Sequence, residues 1–224
     1  MGSAIAILAA EHTAIQRAVG VLGRLCEQAA IGAADNHAHS AGQVLEFLSE
    51  FAERCHNAKE EELLFPALAR RGIPSNRGPL AAQLAGRRQG RQLMDAMTRA
   101  QAAWAAGNAG AGGRFSAAAT AYHALLEQHV TAEQDVVFAV ANQVLDDVAQ
   151  DALTHAFGQF ELQVLGAGRR SALYHQLDRL LLRYPSAAVA AAHARAGSKI
   201  QRATPRKLLS SSRKQFNILG NSPQ

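Results

Sequence analysis

Five residues capable of binding a metal interrupt the apolar helical stripes of this sequence: His12, His56, Glu60, His129 and Glu133. His56 and Glu60, like His129 and Glu133, are spaced so that an imidazole and a carboxylate share one helix face. Buried charges require a partner or a metal ion, and imidazole with carboxylate suits iron, manganese or zinc. The pattern predicts a metal site in the core, dinuclear if both carboxylates bridge.

Helices must bring these residues together. The 224-residue chain is 48% hydrophobic but only 5% aromatic, and its many Ala and Leu residues favour helix. No alternating β-branched run or hairpin signal occurs in the sequence. Apolar residues three and four apart predict four long helices at residues 4–29, 40–71, 78–106 and 114–145. We expect an all-α, up-down-up-down antiparallel four-helix bundle, with a kink rather than a stop at Pro66.

The chain divides into three predicted parts. Residues 1–146 form the bundle, residues 147–194 form an extension packed on it, and residues 195–224 form a disordered basic tail. The extension is predicted to contain two helices, at residues 147–165 and 171–182.

The net charge of +5 belongs to the tail, which has seven basic residues and no acid, against 16 basic and 18 acidic residues elsewhere. A short basic tail with Ser, Gly and Pro is typically solvated, so we expect no specific nucleic-acid partner. The alternative is that the tail binds nucleic acid or an anionic membrane by counterion release.

The sequence also bears on the compartment. No stretch approaches the roughly 18 uninterrupted apolar residues of a membrane span, and no basic segment precedes the short apolar run at the N-terminus. We therefore expect a cytoplasmic protein without a membrane span. Cys26 and Cys55 are too few for a disulfide framework, and we expect both to be reduced, half-buried helix residues.

Three segments carry a family resemblance: Glu11-His12, residues 47–68 and residues 122–138. Over about residues 4–145 the chain resembles the hemerythrin-like HHE cation-binding family, most specifically in the stretch from His56 to Pro66. The resemblance implies an up-down four-helix bundle that holds two non-haem irons with one histidine from each helix and two bridging glutamates. The positions that match that ligand pattern are His12, His56, Glu60, His129 and Glu133.

The third helix departs from the family pattern, which has Glu-His where this chain has Gly86-Arg87. A guanidinium stays protonated and has no lone pair for a metal. We expect Arg87 either to weaken or remove one iron, or to pair with Glu60 or Glu133 in a buried salt-bridge network. Tyr122 shares a helix face with His129, where it could ligate iron, hydrogen-bond the site, or simply pack in the core.

Several functions remain open from the sequence. The first hypothesis is a non-haem iron protein with one or two ions, whose open coordination positions bind or sense O2, NO or peroxide. The second is a metal-free bundle that acts as a partner-binding or regulatory module, its protein partner unknown. An oxidase or peroxidase ranks last, because no dedicated acid, base or substrate pocket is identifiable, and we expect a binding protein rather than an enzyme.

Overall fold

A computed structural model of the protein describes residues 2–30 and 36–191. No strand occurs in these two ranges, so the predicted all-helical class is confirmed. The predicted loop residues 32–35 and the basic tail at residues 195–224 lie outside them. Six helices account for residues up to 186, and residues 187–191, helical as well, belong to a separate unit. The six are α1 (Ser3–Ala30), α2 (37–70), α3 (Gly78–Ala105), α4 (111–144), α5 (Asp147–Leu165) and α6 (Arg169–Arg183).

Two of these helices are not α-helical throughout. In α2, the α-helical segments His37–Phe47 and Phe65–Arg70 enclose the π-helical segments Leu48–Asn57 and Glu60–Leu64. The helix continues through Pro66, as expected, directly after the second π-helical segment. In α4, the π-helical segment Glu133–Phe138 separates Ala111–Ala132 from Ala139–Val144. The sequence pattern did not predict these wider turns.

Local signals in the sequence end the helices near the predicted positions. Gly107 and Gly110, with φ of 79° and 71°, form the turn between α3 and α4 in a region that favours glycine. Asp146 caps α5, because its side chain accepts a hydrogen bond from the Ala149 N–H at 2.9 Å. The start of α5 at Asp147 therefore follows from the residue before it.

The four long helices contact one another in a closed order: α1 packs on α2 and α4, and α3 packs on the same two helices. Their buried apolar residues form two clusters. Along α1, one cluster ends at Leu8 and the other begins at Ala14. The polar residues that the sequence singled out lie between these clusters. The large members are Leu22, Phe47, Phe51 and Phe115 in one cluster, and Leu8, Phe65, Phe138 and Phe157 in the other.

By length and composition, Ser3–Gln28 is the one helix among the described residues that could cross a membrane. Of the apolar 18-residue window in this helix, 56% is buried inside the structure. It also carries Glu11 and His12 into the polar region between the two apolar clusters. This is the pattern of a core helix, and the part of the chain that the structure describes contains no clear membrane span.

The two cysteines are free, as expected, but both are buried rather than half-buried. Burial raises the pKa of Cys26, and it raises the pKa of Cys55 to about 11. The expectation of partial exposure was wrong because both thiols lie on inward faces of long helices, where a small apolar side chain fits the packing. Both thiols are therefore protonated and unreactive at neutral pH.

Helices α5 and α6 pack on α1 and α2. Arg169, at the start of α6, donates to both carboxylate oxygens of Glu50 at 2.7 and 2.8 Å and to Glu46 at 2.6 Å. Gln176 adds hydrogen bonds to Glu46 and to the Gln43 carbonyl, each at 2.9 Å. A polar clamp thus holds α6 against the first half of α2.

Replacing Arg169 with Gln is expected to lower the free energy of unfolding by about 1 kcal/mol, since the clamp is partly exposed. A hydrogen bond from Gln176 and then Arg169 lower the pKa of Glu46, and Arg169 lowers the pKa of Glu50. Because these carboxylate pKa values are lower in the folded protein, the clamp stabilises the fold at pH values above the ordinary pKa of glutamate. This stabilisation is lost as the pH falls through the lowered pKa values. Urea denaturation at several pH values measures this loss. An equal effect of Arg179→Gln, at an exposed position of the same helix, would contradict it.

Candidate metal centre

Four of the five predicted ligands converge between the apolar clusters. His12 lies on α1, His56 and Glu60 on α2, and Glu133 on α4, and all four are buried. One ligand atom from each can be chosen so that all four atoms lie within 4.8 Å of one another. Three helices therefore deliver two imidazoles and two carboxylates to one point.

Three of these residues lie in the π-helical segments. His56 is in Leu48–Asn57, Glu60 begins Glu60–Leu64, and Glu133 begins Glu133–Phe138. π-Helical turns are rare and occur frequently at functional sites. Here they contain three of the four inward-facing residues that converge.

His129, the fifth predicted ligand, borders the same group. Its Nε2 lies 3.5 Å from Glu133 Oε2, and its side chain is 10% exposed. A Cβ at Gly86 would lie 3.3 Å from His129 Nδ1, so the missing side chain on α3 leaves room for this ring. All five predicted residues thus lie in one neighbourhood, with His129 nearest the surface.

Arg87 reaches the group from α3. Its NH2 donates hydrogen bonds to Glu60 Oε2 and, at 3.1 Å, to Glu133 Oε1. Its NH1 donates to the Asn57 carbonyl at 3.0 Å and to Glu61 at 3.3 Å. The guanidinium therefore bridges the two carboxylates, which is the salt-bridge arrangement that the sequence analysis weighed.

The bridge uses only one oxygen of each carboxylate. Glu60 Oε1 and Glu133 Oε2 have no hydrogen-bond partner among the described residues, and neither has either ring nitrogen of His12. Glu133 Oε2 lies 3.3 Å from His12 Nε2, and Glu60 Oε1 lies 3.6 Å from His56 Nε2. Buried polar atoms are normally hydrogen-bonded, so these converging atoms lack the partner that a cation would supply.

Electrostatics favour the same occupant. Burial lowers the pKa of His12, against the raising effect of Glu60, and burial together with Arg87 lowers the pKa of His129 to about 3. Both rings are therefore neutral at neutral pH and keep a lone pair. Burial and the neighbouring Glu133 raise the pKa of Glu60 to about 7, and burial raises that of Glu133. Burial thus disfavours negative charge on both carboxylates, and a cation beside the guanidinium would stabilise that charge.

Sequence reasoning assigned no role at the site to two buried residues behind His56. Glu11 accepts a hydrogen bond from His56 Nδ1 at 2.9 Å, and Lys59 Nζ lies 2.5 Å from its other oxygen. Burial alone would raise the pKa of Glu11, but hydrogen bonding and charge from His56, with Lys59, lower it to about 2. A signal existed, because Glu11 interrupts an apolar stripe that includes Leu8 and Ile15.

A cavity of about 30 Å³ adjoins the group. It has room for about two water molecules, and its lining includes His12, His56, Arg87, Tyr122 and His129. Tyr122 is buried, and burial with the nearby Glu53 raises its pKa. Tyr122 is therefore a protonated residue of the cavity wall.

The relation to known proteins agrees with this arrangement. Residues 3–141, more than half of the chain, match the family model described as hemerythrin HHE cation binding domain. The chain belongs to the hemerythrin HHE cation-binding family. No curated protein and no solved structure matches the chain. The hemerythrin match ends before α5, so it includes all five predicted ligands and Arg87 but neither helix of the extension.

The residues of this hemerythrin-family site fit a cation on one side of the two carboxylates. The free oxygens of Glu60 and Glu133 could hold a cation together with His12 and His56, and His129 borders the same group. The other oxygen of each carboxylate is hydrogen-bonded to Arg87, which carries a positive charge and offers no lone pair. The protein is thus a member of the cation-binding hemerythrin family in which Arg87 occupies one oxygen of Glu60 and one oxygen of Glu133.

Proposed function

We propose that this protein is a hemerythrin-like non-haem iron protein with a mononuclear site. The ligands in this proposal are His12, His56, Glu60, His129 and Glu133. One observation carries it: Glu60 and Glu133 each give one oxygen to Arg87 and leave the other unpartnered beside the histidines. Imidazole and carboxylate ligands suit iron, and Arg87 takes the place of the second ion.

We further propose that the site binds or senses O2, NO or peroxide. The cavity of about 30 Å³ beside the ligands supports a guest of this size. Bound iron would supply a coordination position for it. Ile15, Leu125 and Leu126 give the cavity an apolar wall, whereas Tyr122 and Arg87 add hydrogen-bond donors to it.

The proposal includes the arrangement and location of the chain. An up-down-up-down bundle is supported by the closed packing order of α1 to α4 and by the short connections between successive helices. The cytoplasm is proposed as the compartment because free, buried cysteines suit a reducing environment.

The alternative proposal is a metal-free module that binds a protein partner or a regulatory ligand. The ion pairs of Arg87 with both glutamates favour it, because they neutralise part of the charge that a metal would neutralise. In this case Arg87 substitutes for the metal ions altogether, and the site is a structural network.

Glu133→Gln separates the two proposals. If the protein holds iron, the substitution removes a ligand charge, and Fe(II) affinity is expected to fall by more than about 100-fold, beyond the range for outer residues. Anaerobic reconstitution followed by elemental analysis measures the bound iron, with the exposed Glu62→Gln as control. A parent protein that binds no iron, with Glu133→Gln altering only stability, would support the metal-free module instead.

A further inference from the structure

We propose that α5 and α6 help to orient a ligand of the metal centre. Glu161 and Arg170, on these helices, hold a chain of charged groups in contact with one another that orients His56. Both residues lie outside the region that matches the hemerythrin family. The chain runs from Arg170 to Glu161, Lys59, Glu11 and finally His56. The proposal rests on the proposed function, because its end point is a proposed ligand.

The inner end of the chain determines which nitrogen of His56 is available. A carboxylate oxygen accepts hydrogen bonds, and Glu11 Oε2 lies 2.9 Å from His56 Nδ1, so an imidazole at this position donates its Nδ1–H to Glu11. The lone pair then lies on Nε2, which is the nitrogen on the Glu60 side, 3.6 Å from Oε1. Such a carboxylate–histidine pair sets the tautomer and the ring orientation of a metal ligand.

Lys59 holds Glu11 in this position. Its Nζ lies 2.5 Å from Glu11 Oε1, on the oxygen that His56 does not use, and its side chain is only 1% exposed. A lysine and a glutamate buried this completely contribute little net stability. Their position directly behind His56 is instead the arrangement needed to orient the ring.

The extension supplies the outer end. Glu161 on α5 lies 3.6 Å from Lys59 Nζ, and Arg170 at the start of α6 lies 2.7 Å from the same Glu161 oxygen. Arg170 also lies 3.7 Å from Glu11 Oε1. Among the described residues, Glu161 is thus the second carboxylate beside Lys59, and it comes from a helix that carries none of the proposed metal ligands.

The experiment compares Glu161→Gln with Glu50→Gln in the full chain. Both variants replace a carboxylate that contacts an arginine at the start of α6. Glu50, however, contacts Arg169 and lies outside the chain of charged groups. The affinity for Co(II), added as the metal alone, is measured by competition with a chelating indicator, and the visible absorption spectrum of the Co(II)-bound protein is recorded. Glu161→Gln is expected to weaken Co(II) binding about tenfold and to change the spectrum, whereas Glu50→Gln leaves both unchanged. The proposal would be overturned if Glu161→Gln and Arg170→Gln both bound Co(II) with the affinity and the spectrum of the parent protein.

A readout without metal separates this proposal from the proposed function. ¹⁵N NMR of the histidine rings reports the His56 tautomer, with His56→Gln to assign the signal. The parent is expected to show Nδ1–H, and Glu161→Gln is expected to increase the Nε2–H form. If the parent binds no Co(II), the proposed iron function fails, while a tautomer shift in Glu161→Gln still supports the orienting chain. An unchanged tautomer in Glu161→Gln would overturn it.

Discussion

Replacing Arg87 with histidine is expected to raise the bound iron from about one ion per chain to about two, since imidazole is an iron ligand and guanidinium is not. In the parent, Arg87 occupies one oxygen of Glu60 and one of Glu133. Histidine is shorter and neutral, so it releases both oxygens and removes the charge that repels a second ion. Anaerobic reconstitution with Fe(II) and elemental analysis measure the change.

The neighbouring Arg88 provides a matched control, because it lies on the same helix but is exposed. Arg88→His should bind the same amount of iron as the parent. Two irons in the parent itself would mean that another residue replaces the missing imidazole, which contradicts a mononuclear site. One iron in both the parent and Arg87→His would mean that Arg87 is not what excludes the second ion.

The second large effect is on stability. Arg87→Met is expected to lower the free energy of unfolding of the metal-free protein by about 3–5 kcal/mol, because it leaves two buried carboxylates without their shared cation. Methionine retains contact with Phe65, over whose ring the guanidinium lies, so little of the loss comes from packing. Urea denaturation with and without a divalent cation measures it.

A divalent cation should restore part of that stability in Arg87→Met. At a concentration about 100 times the dissociation constant, ligand binding to the folded state contributes about 2.7 kcal/mol. Arg88→Met is again the control and should unfold like the parent. If Arg87→Met proved as stable as Arg88→Met without metal, the guanidinium would not be the group that neutralises Glu60 and Glu133.

Local signals explain why the helix boundaries were predictable. The range predicted for α5, residues 147–165, agrees with the structure because Asp146 caps its start and Gly166 follows its end. The π-helical turns were not predictable in the same way. They carry the same residue types as an α-helix, and such turns persist only where tertiary contacts favour the wider backbone.

The candidate site was predictable in part. Its proposed ligands interrupt apolar stripes, which is visible without a structure, and the departure at Arg87 was visible too. The contributions of Lys59, Glu161 and Arg170 were not, because these residues belong to segments separated by as many as 111 positions, Lys59 to Arg170. No helical period relates residues on different helices.

The sequence by itself determined that the chain is helical, which residues face inward, and that histidines and glutamates of the kind that could hold a cation lie among them. Those properties depend on spacing along a single helix, and residues three or four apart share a face in any helical context. Only the tertiary structure decided that Arg87 takes one oxygen from each glutamate, and that α5 and α6 reach the back of His56. Both depend on distances between helices, which arise from packing of the whole core and not from any one segment.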